Sequence, residues 1–167
     1  MLILITGGIK SGKSHRALEI AKSAWTFPVS FIATAVAMDE EMSRRIEKHR
    51  QERNDLAGRG FITIEEPLEL DRAIAASGSR ALVDCIPMWV NNLLYYRREN
   101  DFDRILETFL KSVKDCIVVT NETGMGNIPF DENTRRYNLL LAEANRRIAM
   151  AADRLELMVC GIPVRVK

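Results

Sequence analysis

Leu2-Ile3-Leu4-Ile5-Thr6-Gly7-Gly8-Ile9-Lys10-Ser11-Gly12-Lys13-Ser14 is an apolar run that breaks into glycines and ends on a lysine and a serine. Its last eight residues match the pattern G-x-x-x-x-G-K-[ST], and Leu2 to Thr6 before them reads as a strand. Arg16, Ala17, Leu18, Ile20 and Ala21 after them have helical period. That order of strand, loop and helix gives the motif its meaning. Glycines let backbone N–H groups turn inward around phosphate oxygens, and the start of a helix adds the positive end of its dipole. Lys13 is then expected to neutralise the outer phosphates of a nucleoside triphosphate and Ser14 to ligate Mg²⁺. The plainer alternative is an ordinary glycine-rich strand-to-helix turn.

Outward from this loop, short runs rich in Val and Ile alternate with longer stretches of helical period. The candidate strands after the first are Val29 to Thr34, Phe61 to Ile64, Ala81 to Cys85, Cys116 to Asn121 and Leu155 to Cys160. Most are apolar throughout, as when both faces of a sheet are covered. Phe102, Ile105, Leu106, Phe109, Leu110 and Val113 repeat at helical spacing, as do Tyr137, Leu140, Leu141, Ala144, Ile148 and Ala151. Asp39, followed by Glu40 and Glu41, suits the start of a helix carrying Met42, Ile46 and His49. Pro87 suits the first turn of a helix holding Trp89, Val90, Leu93 and Leu94. Asn54 to Gly60 reads as a polar surface loop. The expectation is a single α/β domain over residues 1–167, of the P-loop NTPase type, with a mostly parallel central sheet and helices on both faces.

With 24 Lys and Arg against 23 Asp and Glu, the formal charge is +1, which provides no field for nucleic acid or an anionic membrane. A small-molecule substrate is the default. Cys85, Cys116 and Cys160 share no metal-ligand spacing and are expected as reduced core residues of a cytoplasmic protein. The opening MLILITGG has no charged leader or cleavage site and is too short to span a bilayer. The N-K-x-D guanine signature of regulatory GTPases is absent, TNET at 120–123 being the nearest approach.

Ligands of open α/β sheets gather beyond the carboxyl ends of the strands, so Thr34, Asp84 and Asn121 should converge near the phosphate loop. Asp84 closes the run Ala81 to Cys85, the position from which a carboxylate reaches Mg²⁺ or its water shell. Asp84 and Asn121 are equally able to cap the helices that follow them. Of the two histidines, His15 should lie on the exposed side of the first helix and be structural. His49 shares a helical face with Met42 and Ile46 and is flanked by Arg44, Arg45, Lys48, Arg50 and Arg53. Spacing alone favours a core histidine, whereas the cations suit a neutral, nucleophilic imidazole close to phosphate.

The whole set of motifs resembles the bifunctional adenosylcobinamide kinase/adenosylcobinamide-phosphate guanylyltransferases of cobalamin assembly. The resemblance is carried by ITGGIKSGKS at 5–14, FIATA at 31–35, DEEMSRRIEKHRQER at 39–53, TIEEP at 63–67, LVDCIPMWVNNLL at 82–94, VVTNETGMGNIP at 118–129 and VCGIPVRVK at 159–167. It implies phosphorylation of the aminopropanol hydroxyl of adenosylcobinamide by ATP or GTP, followed by transfer of GMP from GTP to that phosphate. GMP would travel on a histidine, here His49. The nucleotide contacts it implies are Gly7, Gly8, Ile9, Lys10, Ser11, Gly12, Lys13 and Ser14; Ala33, Thr34 and Ala35; Arg50, Gln51, Glu52 and Arg53; Glu65; and Asp84. It also implies a homotrimer in which a neighbour completes each site. The sequence departs from the pattern in the last helix, where an Arg-Asp pair, a Gly and a Gln are replaced by Asn138, Leu139, Ala142 and Arg146, while Asn145 is kept. Two rivals remain: another P-loop small-molecule kinase with a structural His49, and a nucleotide-binding regulator without turnover.

Overall fold

The computed structural model describes residues 1–37, 40–57, 60–78, 80–125 and 129–167, with the side chains of residues 45 and 52–57 outside the description. Among these residues seven strands form one sheet: β1 (Leu2–Gly7), β2 (Val29–Ala33), β3 (Phe61–Glu65), β4 (Arg80–Asp84), β5 (Asp115–Val119), β6 (Arg154–Val159) and β7 (Ile162–Arg165). Their order is β3-β2-β4-β5-β1-β6-β7, parallel except for the β6–β7 pair. The α/β expectation and its mostly parallel sheet hold. Among the described residues six α-helices accompany the strands: α1 (Lys13–Ala24), α2 (Glu40–Ala57), α3 (Leu70–Ala76), α4 (Ile86–Tyr95), α5 (Phe102–Ser112) and α6 (Glu132–Ala151).

The continuous apolar runs have a simple cause. Neighbouring residues on a strand point to opposite faces, and here both faces are covered. Leu2 and Leu4 of β1 pack with α3, α4, α5 and α6, while Ile3 and Ile5 pack with α1 on the other side. Ala81 and Val83 against Leu82 on β4, and Cys116 and Val118 against Ile117 and Val119 on β5, divide in the same way. Edge strand β3 lacks such cover, and Ile62 is exposed.

Several expectations are corrected. Asn54 to Ala57 belong to the last turn of α2 rather than to a loop, and residues 58 and 59, like the helix cap expected at Asp39, lie outside the described residues. Helix α3 and strand β7 were not expected. β7 follows β6 through the two-residue turn Cys160-Gly161, with φ of 49° and 87°, the paired positive values of a tight hairpin. Cys160 is therefore exposed, Cys85 is half-buried, and Cys116 alone of the three is a core thiol, its pKa pushed far up by burial. Among the described residues no helix is long and apolar enough to cross a membrane.

Candidate active site

The loop between β1 and α1 is shaped by three residues with positive φ: Gly7 at 150°, Lys10 at 55° and Gly12 at 92°. A Cβ on Gly7 would stand 2.6 Å from the Met158 carbonyl oxygen and 2.8 Å from Ser11 Oγ, so only glycine fits there. Gly12 occupies the N-cap of α1 and offers no side-chain cap, which leaves the first amides of the helix to a ligand. The loop is braced from two sides. Glu122 N donates to Gly7 O at 3.1 Å from the end of β5, and Gly161 N donates to Ser11 O at 3.1 Å from the β6–β7 turn. The GIP ending of the chain thus supports the phosphate loop.

Lys13 is buried although it is charged. Its ammonium donates to Gly8 O and lies 3.5 Å from Ser11 Oγ. Burial lowers its pKa, and the nearby Cys85 and Asp84 push back in the opposite direction. Asp84, at the end of β4, is thereby placed beside the lysine, and it does not cap α4, whose N-cap is Cys85. Asn121 caps no helix either, since α6 begins after Asp131, whose Oδ1 accepts from Thr134 N at 2.8 Å. Asn121 adjoins Glu122, the residue bonded to the loop, so the expected convergence of strand ends is present.

Thr34 plays a different part from the expected one. Its side chain is wholly buried; Oγ1 donates to Cys85 O at 2.7 Å and accepts from Cys85 N at 2.9 Å. It holds the end of β4, and only its neighbours Ala33 and Ala35 are open enough to meet a ligand. Asn92, which sequence reasoning missed, ties the same strand ends together from α4: its Nδ2 donates to Thr34 O at 2.7 Å and Pro67 O at 3.1 Å. Asn145 does this for β5, accepting from Thr120 Oγ1 at 2.6 Å and donating to Asn121 O at 2.9 Å. Asn138 accepts from Thr123 Oγ1 at 3.3 Å, whereas Leu139 and Ala142 are exposed and Arg146 pairs with Glu143.

Glu156 was also missed. It is 2% exposed on β6 and receives Arg16 Nε at 2.9 Å, Arg16 Nη2 at 3.2 Å and Arg154 Nη2. The Arg16 hydrogen bond is the main cause of its lowered pKa. This pair locks the first turns of α1, and with them the exit of the loop, to the sheet.

The second set of expected residues stands apart. His49 and Gln51 are exposed on α2, and Met42 and Ile46 are only half-buried, so the inward face expected for His49 is not observed. Arg50 Nη2 bonds Glu65 Oε1 at the end of β3. Because β2, β4 and β5 lie between β3 and β1, that anchor is about 19 Å across the sheet from the phosphate loop at ordinary strand spacing. The side chains of Glu52 and Arg53 lie outside the described residues. His15 lies on the exposed side of α1 as expected, 3.3 Å from Glu19.

For Mg²⁺, Ser14 in the first turn of α1 and Asp84 at the end of β4 both offer oxygen. No cluster of three His, Cys, Asp or Glu residues suited to a metal occurs among the described residues. A pair of oxygen donors nevertheless fits Mg²⁺, which keeps most of its shell as water and substrate phosphate.

Residues 3–166 match the sequence model of the family described as cobinamide kinase / cobinamide phosphate guanyltransferase. The chain is 38% identical to the bifunctional adenosylcobalamin biosynthesis protein CobP of Pseudomonas aeruginosa, over 98% of this chain and 96% of that protein. It is 33% identical to the bifunctional adenosylcobalamin biosynthesis protein CobU of Salmonella typhimurium over the full length of both. In fold it is similar to the flagellar accessory protein FlaH of Methanocaldococcus jannaschii, with a TM-score of 0.53 at 14% identity over 99% of this chain and 77% of that one.

Proposed function

This chain belongs to the cobinamide kinase/cobinamide phosphate guanyltransferase family and is a transferase, and from that premise we propose that it carries out both reactions on adenosylcobinamide with one phosphate loop. In the first, the aminopropanol hydroxyl attacks the γ-phosphorus of ATP or GTP and the nucleoside diphosphate departs. In the second, an imidazole nitrogen of His49 attacks the α-phosphorus of GTP and pyrophosphate departs. An oxygen of adenosylcobinamide phosphate then displaces the imidazole, giving adenosylcobinamide-GDP.

The observation that carries this reading is the buried Lys13 ammonium, held between the Gly8 carbonyl and Ser11 beside Asp84. In both reactions negative charge builds on the outer phosphates, as transferred γ-phosphoryl group or as leaving pyrophosphate. A fixed cation in a site that excludes water stabilises that charge in each case. Ser14 and Asp84 would hold Mg²⁺, which supplies further charge neutralisation when bound. Ala33 and Ala35 border the nucleotide, and Arg50, Gln51, Glu52, Arg53 and Glu65 belong to the guanylyl-transfer half with His49.

We place the protein in the cytoplasm, where nucleoside triphosphates are abundant and the exposed Cys160 thiol stays reduced. We also propose a homotrimer in which a neighbour helps complete each site. Support comes from edge strand β7 and the residue that follows it, where Ile162 is 66%, Val164 47% and Val166 60% exposed, a pattern that calls for cover by another chain. Light scattering that returned the mass of a monomer at assay concentration would refute the trimer.

The central test exposes the pure protein to GTP labelled at the α-phosphate. Acid-labile label should remain on the chain, vanish in excess chelator, and be lost in His49→Ala but not in His15→Ala. Kinase activity on adenosylcobinamide should largely survive His49→Ala, because that step needs no covalent carrier. Label persisting in His49→Ala would remove the histidine from the mechanism.

A further inference from the structure

The sheet register ends close to where the metal ligands are needed. Ala33 pairs with Asp84 on one side of β4 and Val119 pairs with Asp84 on the other, and both are the last pairs of their ladders. Cys85 stands one residue beyond them, and there Thr34 takes over. Thr34 N donates to Asp84 O at 3.3 Å, its Oγ1 accepts from Cys85 N at 2.9 Å, and the same Oγ1 donates to Cys85 O at 2.7 Å. One residue thus grips both ends of the peptide unit that follows Asp84. Thr34 is itself held from behind, since Asn92 Nδ2 on α4 donates to Thr34 O at 2.7 Å, and both side chains are wholly buried.

A hydroxyl with no accessible surface does not touch a nucleotide, so it acts through what it holds. What it holds is the main chain that aims the Asp84 carboxylate, one of the two oxygen donors suited to Mg²⁺. This ion demands near-ideal octahedral geometry at short oxygen distances, so a carboxylate on loosely held backbone is a poor ligand for it. The other donor, Ser14, lies in the first turn of α1, which the Arg16–Glu156 pair locks to the sheet. Thr34 supplies the corresponding restraint at the β4 end. We propose that Thr34 is a positioning residue for the metal: its hydroxyl sets the direction of Asp84 and thereby the affinity for Mg²⁺ beside bound nucleotide, an inference that rests on the Mg²⁺ arrangement proposed above.

The plain role of such a threonine is to satisfy main-chain groups where a ladder stops, because a buried N–H or C=O left without a partner is unfavourable. That role is present, and it means a loss of stability when the hydroxyl is removed. The place of the grip adds the metal to it. Asp84 borders the buried Lys13 ammonium, so a turn of its backbone changes the charge that faces the phosphates as well as the ligand geometry. The two roles separate in experiment: a structural role lowers stability alone, whereas a positioning role lowers the coupling between Mg²⁺ and nucleotide.

The test uses the full chain and two pairs of proteins in which the hydroxyl is present or absent at nearly constant shape: wild type against Thr34→Val, and Thr34→Ser against Thr34→Ala. If Thr34→Val does not fold, the second pair answers the same question. Calorimetry measures the affinity for a GTP analogue with a methylene α–β bridge, which cannot transfer GMP, once in chelator and once at saturating Mg²⁺. The ratio of the two affinities reports how well the protein holds the metal next to the nucleotide. Removing the hydroxyl should lower that ratio about tenfold within each pair, the low end for loss of a group that orients a metal ligand, because Thr34 acts through the backbone rather than on the carboxylate itself. Affinity in chelator should stay unchanged. An unchanged ratio with lowered stability overturns the proposal and leaves Thr34 a structural residue, and equal loss with and without metal overturns it in favour of a nucleotide contact. Asp84→Asn checks the premise: a ratio equal to wild type there, or no effect of Mg²⁺ on the wild-type affinity, removes Asp84 from the metal site and this inference falls with it.

Discussion

The phosphate loop and helix α2, which on the proposed function carry the two groups that guanylyl transfer brings together, are built on opposite plans. The loop is fixed from every side: β1 lies mid-sheet, Gly7 is pressed against Met158, Glu122 and Gly161 hold its backbone, and Arg16 is clamped by Glu156. α2 presents His49 to solvent and is anchored near it by the exposed Arg50–Glu65 pair at the sheet edge. An electrostatic catalyst must be rigid before the charge develops, since reorganisation during the reaction would cancel its benefit. A covalent carrier must meet two partners in turn. On the proposed function, the contrast is that between a fixed binding site and a group that has to travel or be shared.

The largest expected effect falls on the fixed region. Lys13→Ala should slow both phosphoryl and guanylyl transfer by at least about a hundredfold, the usual consequence of losing ~3 kcal/mol of transition-state stabilisation. Steady-state rates on adenosylcobinamide and on its phosphate measure this. A loss confined to one reaction would break the idea of a single loop serving both.

The second effect concerns what keeps the loop fixed. Glu156→Ala leaves Arg16 and Arg154 facing a site without their carboxylate, and should cost about 3 kcal/mol in chemical denaturation, at the low end for a broken buried pair because both arginines retain partial solvent contact. The pH dependence has a definite sign. The folded-state pKa of Glu156 is lowered, first by Arg16, so its contribution is present above the unfolded glutamate pKa near 4.3 and is lost as pH falls below it. The gap between wild type and Glu156→Ala should therefore narrow in acid. A gap that stays constant from neutral pH down to about pH 3 would show that the carboxylate charge is not what stabilises this corner.

The fixed region was also the more legible one, and for the same reason. The G-x-x-x-x-G-K-[ST] pattern is local, and the strand before it and helix after it are long enough to show their periods. β7 left no such trace: its four residues are all exposed, so neither alternation nor a buried run marks it. Asn92 was hidden in WVNNLL because the two asparagines lie on either flank of the apolar face set by Trp89, Val90, Leu93 and Leu94, and sequence does not say whether either is buried. The structure buries Asn92 and exposes Asn91. For His49, spacing grouped it with Met42 and Ile46 on an inward face, but shared spacing does not fix how deeply a face is buried, and His49 is exposed where Met42 and Ile46 are half-buried. Thr34 lies among the residues implied to contact nucleotide, yet its hydroxyl is taken by the backbone of Cys85, a long-range pairing beyond any local pattern.

The smallest expected effect on stability, and the sharpest test of the contrast, comes from α2. Arg50 and Glu65 are 43% and 60% exposed, and exposed ion pairs contribute about 0–1 kcal/mol, since solvent screens the attraction and two long side chains lose freedom. Arg50→Ala should thus leave the denaturation midpoint within about 1 kcal/mol of wild type. On the proposed function the same change removes a cation next to the carrier, so the rate at which α-labelled GTP marks His49 should fall while the kinase rate stays close to wild type. Circular dichroism melts and the two rates, measured on one preparation, separate the alternatives. A large drop in stability would mean that the Arg50–Glu65 contact is a structural clamp and α2 as firmly held as the loop. Unchanged labelling with unchanged stability would leave Arg50 with no part in the guanylyl step.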